Sequence, residues 1–216
     1  MKKIKPKMIV SSVFVLLALW VIADLYIPKH RDMRAFDPVY VGKMDSDMWR
    51  AYYEKKPVRL FFQLAALMRR QYHAPFWRAF AIAYRAAKAA FVFKEGHNRA
   101  EYGKALPHLE KFYYEINSLS DKPFDYKKVA GLELEWWIIR REPDQFTTAD
   151  WENILAQEAG EMYLEPATKF SGYAQSRTEA MVLRDQKGNN IAESDWQKID
   201  SLLVGCWTAL HSALVH

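Results

Sequence analysis

Charged side chains interrupt apolar stripes at several points in the chain, first within residues 131–142, GLELEWWIIRRE. Glu133 and Glu135 lie between Leu132 and Ile139, where all the remaining residues are apolar. Positions two apart on a helix point about 200° apart, so the two acids should face opposite sides and should not share a metal ion. Because such a helix is apolar nearly all round, we expect at least one acid to be buried and to need a partner.

Two further charges interrupt apolar stripes in the same way. Glu158 continues a stripe formed by Trp151 and Leu155, and Arg177 lies in a stripe that includes Tyr173. Each of these charges should therefore also face the interior of the domain.

Together, these charges predict a buried polar cluster. In this cluster Arg177 meets Glu158 and either Glu133 or Glu135, with Tyr173 as a proton donor or orienting group. A pocket of this kind could serve catalysis or ligand binding. Alternatively, the pairs could only fix the register of the helices.

Arg140 and Arg141 follow the same segment, one turn after Trp136 and Trp137. At this position their guanidinium groups could stack on the indoles or interact with the carboxyl end of the helix, where cations are favoured.

Familiar catalytic and metal-binding motifs do not occur in the sequence. It has no Glu-x-x-His pair of the kind found in helical di-metal sites, no Gly-rich phosphate loop and no G-x-S-x-G elbow. The single cysteine, Cys206, falls on an apolar helical stripe and is typical of a small buried hydrophobe. We therefore expect neither a metal ion nor a cofactor, and the absence of these motifs argues against the familiar classes of enzyme.

The N-terminal residues resemble a membrane-targeting segment in composition. Residues 1–7 carry four lysines, and from Met8 to Ile27 the only charge is Asp24. Twenty residues at 1.5 Å each match a bilayer core of about 30 Å. The sequence thus predicts a basic cytoplasmic tail at 1–7 and a single transmembrane anchor, or uncleaved signal sequence, at 8–28.

A cleavable signal ending in VIA at 21–23 is the alternative to a retained anchor. Both interpretations place the remainder of the chain outside the cytoplasm, in the periplasmic or extracytoplasmic space.

The remainder should form an all-α, bundle-like domain. Residues 29–44 lack periodicity and predict a linker or arm, and residues 45–216 predict six or seven helices, the first capped by Asp45 or Ser46. Their connections are short, which favours antiparallel neighbours.

Charge is distributed unevenly along this domain. Residues 45–105 carry 12 basic and 5 acidic side chains, whereas residues 106–216 carry 11 and 18. The basic half at 50–104 could contact anionic lipid, since it follows the anchor directly, or it could complement the acidic half within one bundle. A nucleic-acid partner is not expected outside the cytoplasm.

These features favour a membrane-anchored interaction or scaffold protein, an accessory subunit of a membrane assembly with protein partners in the membrane. The alternative is a helical enzyme or ligand-binding protein that uses the buried polar cluster.

Overall fold

Helices make up nearly all the regular structure in the computed structural model, which describes residues 6–27 and 29–215. The α-helices are α1 (Pro6–Tyr26), α2 (Pro38–Tyr53), α3 (Pro57–Gln71), α4 (Phe76–Glu95), α5 (Arg99–Tyr102), α6 (Leu106–Asn117), α7 (Tyr126–Ile139), α8 (Thr148–Tyr163), α9 (Ser171–Lys187) and α10 (Glu193–Val215). No β-strand occurs within these described ranges. The predicted all-α fold class is confirmed.

The longer helices after α1 pack in a closed ring. Each of them contacts the next long helix along the chain, from α2 through α3, α4, α6, α7, α8 and α9 to α10, and α10 returns to pack against α2. Sequential packing of this kind follows from short connections. The inner faces of the ring form one main apolar core, which includes Ile82, Leu109, Leu155 and Phe170.

The start of α2 differs from the sequence prediction. The helix begins at Pro38, inside the segment assigned to a linker at 29–44. The reason is the Asp37 side chain, which accepts hydrogen bonds from the amides of Val39 and Tyr40, both at 3.0 Å. A proline in the first turn suits such a capped start.

Asp45 and Ser46 are consequently interior residues of α2, so the prediction that either caps a helix was wrong. A second proline, Pro57, starts a separate helix, α3. Eight long helices, α2 to α4 and α6 to α10, therefore follow α1 in the described chain, more than the predicted six or seven.

Reciprocal capping attaches α1 to α4. The Asp24 carboxylate accepts a hydrogen bond from the amide of Trp77 at 2.5 Å, in the first turn of α4. The guanidinium group of Arg78 in turn donates to the carbonyl of Leu25 at 2.9 Å, at the end of α1. Each charge therefore lies where a helix terminus favours it, which explains how an acid is accommodated in an otherwise apolar helix.

Within the described residues, no helix combines the length and the apolar character that crossing a membrane requires. This finding does not support the transmembrane anchor predicted at 8–28, which stays a prediction. Residues 1–5 of the predicted basic tail, and residue 28 at the end of the predicted anchor, lie outside the described residues.

The arm between α1 and α2 packs on the domain. Arg31 exchanges backbone hydrogen bonds with Leu119 and Asp121, at 2.7 and 3.1 Å. Met33 and Phe36 are buried in the core. These contacts fix the arm, so it forms part of the fold from Arg31 onward.

The approach of α2 to α10 gives the first testable prediction. A Cβ atom added at Gly42 would lie 2.7 Å from the Cα atom of Val204, closer than real contacts allow, and would meet backbone that cannot rotate away. We expect Gly42→Ala to lower the free energy of unfolding by about 1–3 kcal/mol, measured by urea denaturation in mild detergent.

Gly205, one residue after Val204, provides the matched control. A Cβ atom there meets nothing within 4 Å, so Gly205→Ala should stabilise the protein by about 0.5–1 kcal/mol through its better helix propensity. Equal effects of the two substitutions would contradict the close packing of α2 on α10.

Candidate functional site: polar groups inside the helical ring

A pair of carboxyl groups lies between α7 and α8. Glu133 on α7 accepts a hydrogen bond from the indole of Trp137 at 2.7 Å, and Glu158 on α8 accepts one from the Tyr113 hydroxyl at 2.7 Å. Both glutamates are half-buried, and their carboxyl groups are close enough to affect each other's protonation. We refer to Glu133, Glu158, Tyr113 and Trp137 as the carboxyl pair site.

The two carboxyl groups hold a proton more tightly than free glutamates do. Burial raises the pKa of Glu133, although hydrogen bonds to its ionised form partly counteract this. Burial and then repulsion by Glu133 raise the pKa of Glu158 well above its usual range. Two close carboxyl groups away from bulk water behave in this way because both cannot readily ionise at once. Glu158 can therefore keep a proton at a pH where an exposed glutamate is ionised.

A second cluster lies where α2, α9 and α10 meet. The Arg177 guanidinium group on α9 forms an ion pair with Asp45 on α2 at 2.6 Å, and the Trp207 indole on α10 donates to the same carboxylate oxygen at 2.9 Å. Burial alone would lower the pKa of Arg177, but Asp45, Tyr173 and Cys206 together more than offset this effect, so the pKa is raised and the group stays charged. We call Asp45, Arg177 and Trp207 the closure cluster, because they join α2, the first helix of the ring, to α9 and α10, its last two helices.

Tyr173 and Cys206 border the closure cluster. The Tyr173 ring packs edge-on against Trp207, with ring centroids 6.1 Å apart, and burial raises the pKa of its hydroxyl well above the usual range. Burial likewise raises the pKa of the Cys206 thiol to about 12. The thiol is therefore protonated at neutral pH and lacks the reactivity of a thiolate nucleophile.

The structure brings some of the predicted site residues together and separates others. Glu133 and Glu158 lie together, whereas Arg177 pairs with Asp45 and not with either glutamate. The positive charge of Arg177 still lowers the pKa of both glutamates from a distance. Glu135 faces away from this pair, in agreement with the rotation expected for positions two apart on a helix. It forms an ion pair with Arg99 at 3.0 Å.

The two arginines that follow α7 bind different aromatic groups. The Arg140 guanidinium lies 5.4 Å from the Trp136 ring centroid and 5.7 Å from that of Trp151. Arg141 instead lies over rings that α4 and α5 contribute, Phe93 at 4.5 Å and Tyr102 at 5.3 Å. Through these rings, the two guanidinium groups tie the end of α7 to α4, α5 and α8.

Sequence reasoning missed Asp45, Tyr113 and Trp207. Asp45 would have been found if the sequence DP at 37–38 had been taken as a helix start, because Val41, Asp45 and Trp49 then fall on one stripe. Tyr113 and Trp207 lie on the apolar stripes of α6 and α10, and nothing in the sequence distinguishes them from ordinary core aromatics.

Among the residues described, no group of three or more His, Cys, Asp or Glu side chains could hold a metal ion. Comparison of the chain with known protein families, curated proteins and solved structures found no match.

The closure cluster predicts strong coupling between its two charges. Arg177→Met leaves a buried carboxylate without its cation, and Asp45→Asn leaves a buried cation without its anion. We expect each change to lower the free energy of unfolding by about 3–5 kcal/mol. The double variant should recover much of this loss, because no lone charge remains and the asparagine amide oxygen can still accept from Trp207. Simple additivity in urea denaturation would contradict the assignment.

The carboxyl pair predicts a specific pH dependence. Its raised pKa means that, above the ordinary value of 4.5, the folded chain binds more protons than the unfolded chain, so this part of the stability is present at low pH and is lost as the pH rises through the folded-state pKa. Each tenfold difference in proton affinity corresponds to about 1.4 kcal/mol. The stability of the wild type relative to Glu158→Gln should therefore increase as the pH falls from about 8 to about 5.

Glu135→Gln is the control for this experiment. It removes a glutamate from the same helix, but from a solvent-accessible pair with Arg99 worth about 0–1 kcal/mol. Glu135→Gln should change the stability by no more than this amount anywhere in the same pH range. If the free energy of unfolding changed with pH equally in the wild type and in Glu158→Gln, the pair would not hold the additional proton that its raised pKa implies.

Proposed function

We propose that this chain is a membrane-anchored extracytoplasmic scaffold, an accessory subunit that α1 holds at a membrane and whose helical ring binds protein partners. The observation that carries the proposal is the exposure of α1. Every residue from Val10 to Trp20 is exposed, with Phe14 and Leu16 at 68% and 65%. Such a run covers all sides of a helix with 3.6 residues per turn. An apolar helix exposed on all sides favours surroundings that are themselves apolar.

The sequence on either side of this exposed segment supports a bilayer as those surroundings. The apolar run extends from Met8 to Ile27 with Asp24 as its only charge, and lysines precede it. Four lysines precede the run, whereas Lys29, Arg31 and Arg34 follow it. The excess before the run favours a cytoplasmic N-terminus and a periplasmic or extracytoplasmic ring.

Aromatic side chains next to α1 give further support. The Trp20 ring stacks against Phe76, with centroids 6.1 Å apart, and meets Trp77 edge-on at 5.7 Å. Phe80 continues this group of rings towards Phe62, at 5.8 Å. Aromatic rings collect at the boundary between the hydrocarbon core and the headgroups, so the start of α4 and the adjoining face of α3 suit that level of a bilayer.

The polar groups inside the ring support a scaffold role more than catalysis. In the carboxyl pair site and the closure cluster, each carboxyl group has a hydrogen-bond donor or an ion-pair partner from the protein. Closed, paired clusters of this kind fix the register of helices.

A second candidate function is a helical enzyme or ligand-binding protein, and the raised pKa of Glu158 favours it. In that case Glu158→Gln should abolish the stabilisation of the protein by its ligand while leaving the apo protein folded.

Flotation with neutral phosphatidylcholine vesicles tests the anchor. We expect the full-length protein to float with the vesicles, also in high salt. Phe14→Glu with Leu17→Glu should abolish flotation, because an acid at the centre of an inserted helix costs about 2.5–3.5 kcal/mol. The helical ring should keep its melting temperature, since both side chains are exposed.

Phe91→Glu with Tyr114→Glu is the matched control, because both are exposed residues of the ring, at 64% and 54%, and lie away from the first turns of α3 and α4. This variant should float like the wild type. Flotation of the α1 variant would contradict the anchor.

Extraction of the native full-length protein in mild detergent tests the accessory-subunit role. We expect the chain to co-elute with a larger assembly in size exclusion, with its partners identified by mass spectrometry. Elution as a lone chain would contradict that role.

A further inference from the structure

A surface cleft lies between the arm after α1 and the carboxyl end of α3. It has a volume of about 660 Å³ and is lined by Arg31, Asp32, Arg69, Arg70 and His73, with two alanines completing the wall. We call it the arginine cleft. None of the groups of the carboxyl pair site or the closure cluster lines it.

The cleft concentrates positive charge that the described part of the fold does not neutralise. Several arginines of the chain, such as Arg34, form ion pairs with described acids. Arg31, Arg69 and Arg70 form no ion pair with a described residue. The one acid in the wall, Asp32, accepts a hydrogen bond from the Arg34 amide at 2.9 Å and thereby fixes a turn of the arm. Three guanidinium groups therefore face one carboxylate.

Aromatic rings hold two of these guanidinium groups by their faces. Arg69 lies 5.4 Å from the Phe76 ring centroid, and Arg70 lies 5.2 Å from that of Tyr40. Stacking occupies the face of a guanidinium group and leaves the N–H groups at its edge able to donate. The edge of a guanidinium group matches the oxygens of a phosphate in a bidentate arrangement.

The backbone around His73 fixes the shape of the cleft. His73 has a φ of 54°, in the left-handed region that ends helices and usually takes glycine. A histidine here brings a side chain that glycine lacks, and its Nε2 donates to the carbonyl of Ala35 at 2.8 Å. This bond joins the end of α3 to the arm, which places Arg31 in one cleft with Arg69 and Arg70.

The arginine cleft lies beside the end of α1. Phe76, on which Arg69 stacks, also stacks on Trp20. Asp24 caps the first turn of α4, which follows His73 closely along the chain. If α1 is embedded in a bilayer, the cleft therefore lies at the level of the lipid headgroups.

We propose that the arginine cleft binds the phosphate group of an anionic lipid headgroup. The inference rests on the proposed anchoring by α1, and it narrows the predicted lipid contact of residues 50–104 to Arg69, Arg70 and His73, together with Arg31 from the arm. Guanidinium groups bind phosphate oxygens through charge-assisted hydrogen bonds, and basic residues at a bilayer surface attract anionic lipids.

Native mass spectrometry of the full-length protein tests this proposal. The protein is released from vesicles of phosphatidylcholine with one fifth phosphatidylglycerol, and the retained lipids are counted. We expect retention of phosphatidylglycerol in preference to phosphatidylcholine. Arg69→Gln with Arg70→Gln should reduce that preference about tenfold or more. Each basic residue near the bilayer surface strengthens the attraction to anionic lipid by about fivefold, and the variant lacks two of them. Both side chains are exposed, so the variant should fold.

Lys88→Gln with Lys94→Gln is the matched control. It removes the same charge from exposed positions of α4 outside the cleft and should leave the preference unchanged. Equal losses in the two double variants would overturn the site in favour of general charge attraction.

A parallel titration with inorganic phosphate distinguishes the source of the phosphate group. Binding as tight as that of the lipid would overturn the lipid assignment. If the wild type floats on neutral vesicles but does not retain phosphatidylglycerol in preference to phosphatidylcholine, the lipid site in the cleft is refuted and the anchor is not. If the wild type fails to float, the anchor is refuted.

Discussion

The closure of the helical ring depends on one buried ion pair between Asp45 and Arg177. Asp45 lies on α2, the first helix of the ring, and Arg177 lies on α9, 132 positions later in the chain. The Trp207 indole on α10 donates to the same carboxylate oxygen. Gly42 brings the backbones of α2 and α10 within contact distance, which leaves little freedom to slide. The ion pair then selects one register, because any other would leave a buried charge without its partner. Apolar packing supplies most of the stability of such a ring, and the Asp45–Arg177 pair determines the register in which its helices pack.

The same arginine affects the interior acids. Glu133 and Glu158 are brought together by neighbouring helices, and burial disfavours the ionised form of both. The positive field of Arg177 partly offsets this effect by lowering the pKa of each. Ring closure and the protonation of the carboxyl pair are therefore linked electrostatically, although no hydrogen bond joins the two clusters among the described contacts. A change at Asp45 that altered the position of Arg177 would thus also alter the proton affinity of Glu158.

Local pattern predicts more of the fold than of the site. Apolar periodicity locates the helices, and the helical rotation between neighbouring positions correctly separates Glu133 from Glu135. The partner of Arg177 cannot be found in this way, because the pairing of α9 with α2 depends on tertiary packing that no local window contains. A helix start at Asp45, as the sequence alone suggests, also assigns that residue to a cap and removes it from the buried stripe. The contact of Arg141 with Phe93 shows the same limit, since it joins α4 to the end of α7.

The attachment of α1 to α4 links the apolar helix to the basic surface. Asp24 and Arg78 each cap the other helix, so the direction of α1 relative to α4 is determined by two charged side chains and not by a flexible joint. Phe76, in the first turn of α4, contacts Trp20 on one side and Arg69 on the other. Insertion of α1 into lipid would therefore bring the aromatic rings and then the arginines to the bilayer surface in a fixed order. Under the proposed insertion of α1, Asp24 would thus orient the helical ring relative to the bilayer, because its carboxylate joins the end of α1 to the first turn of α4.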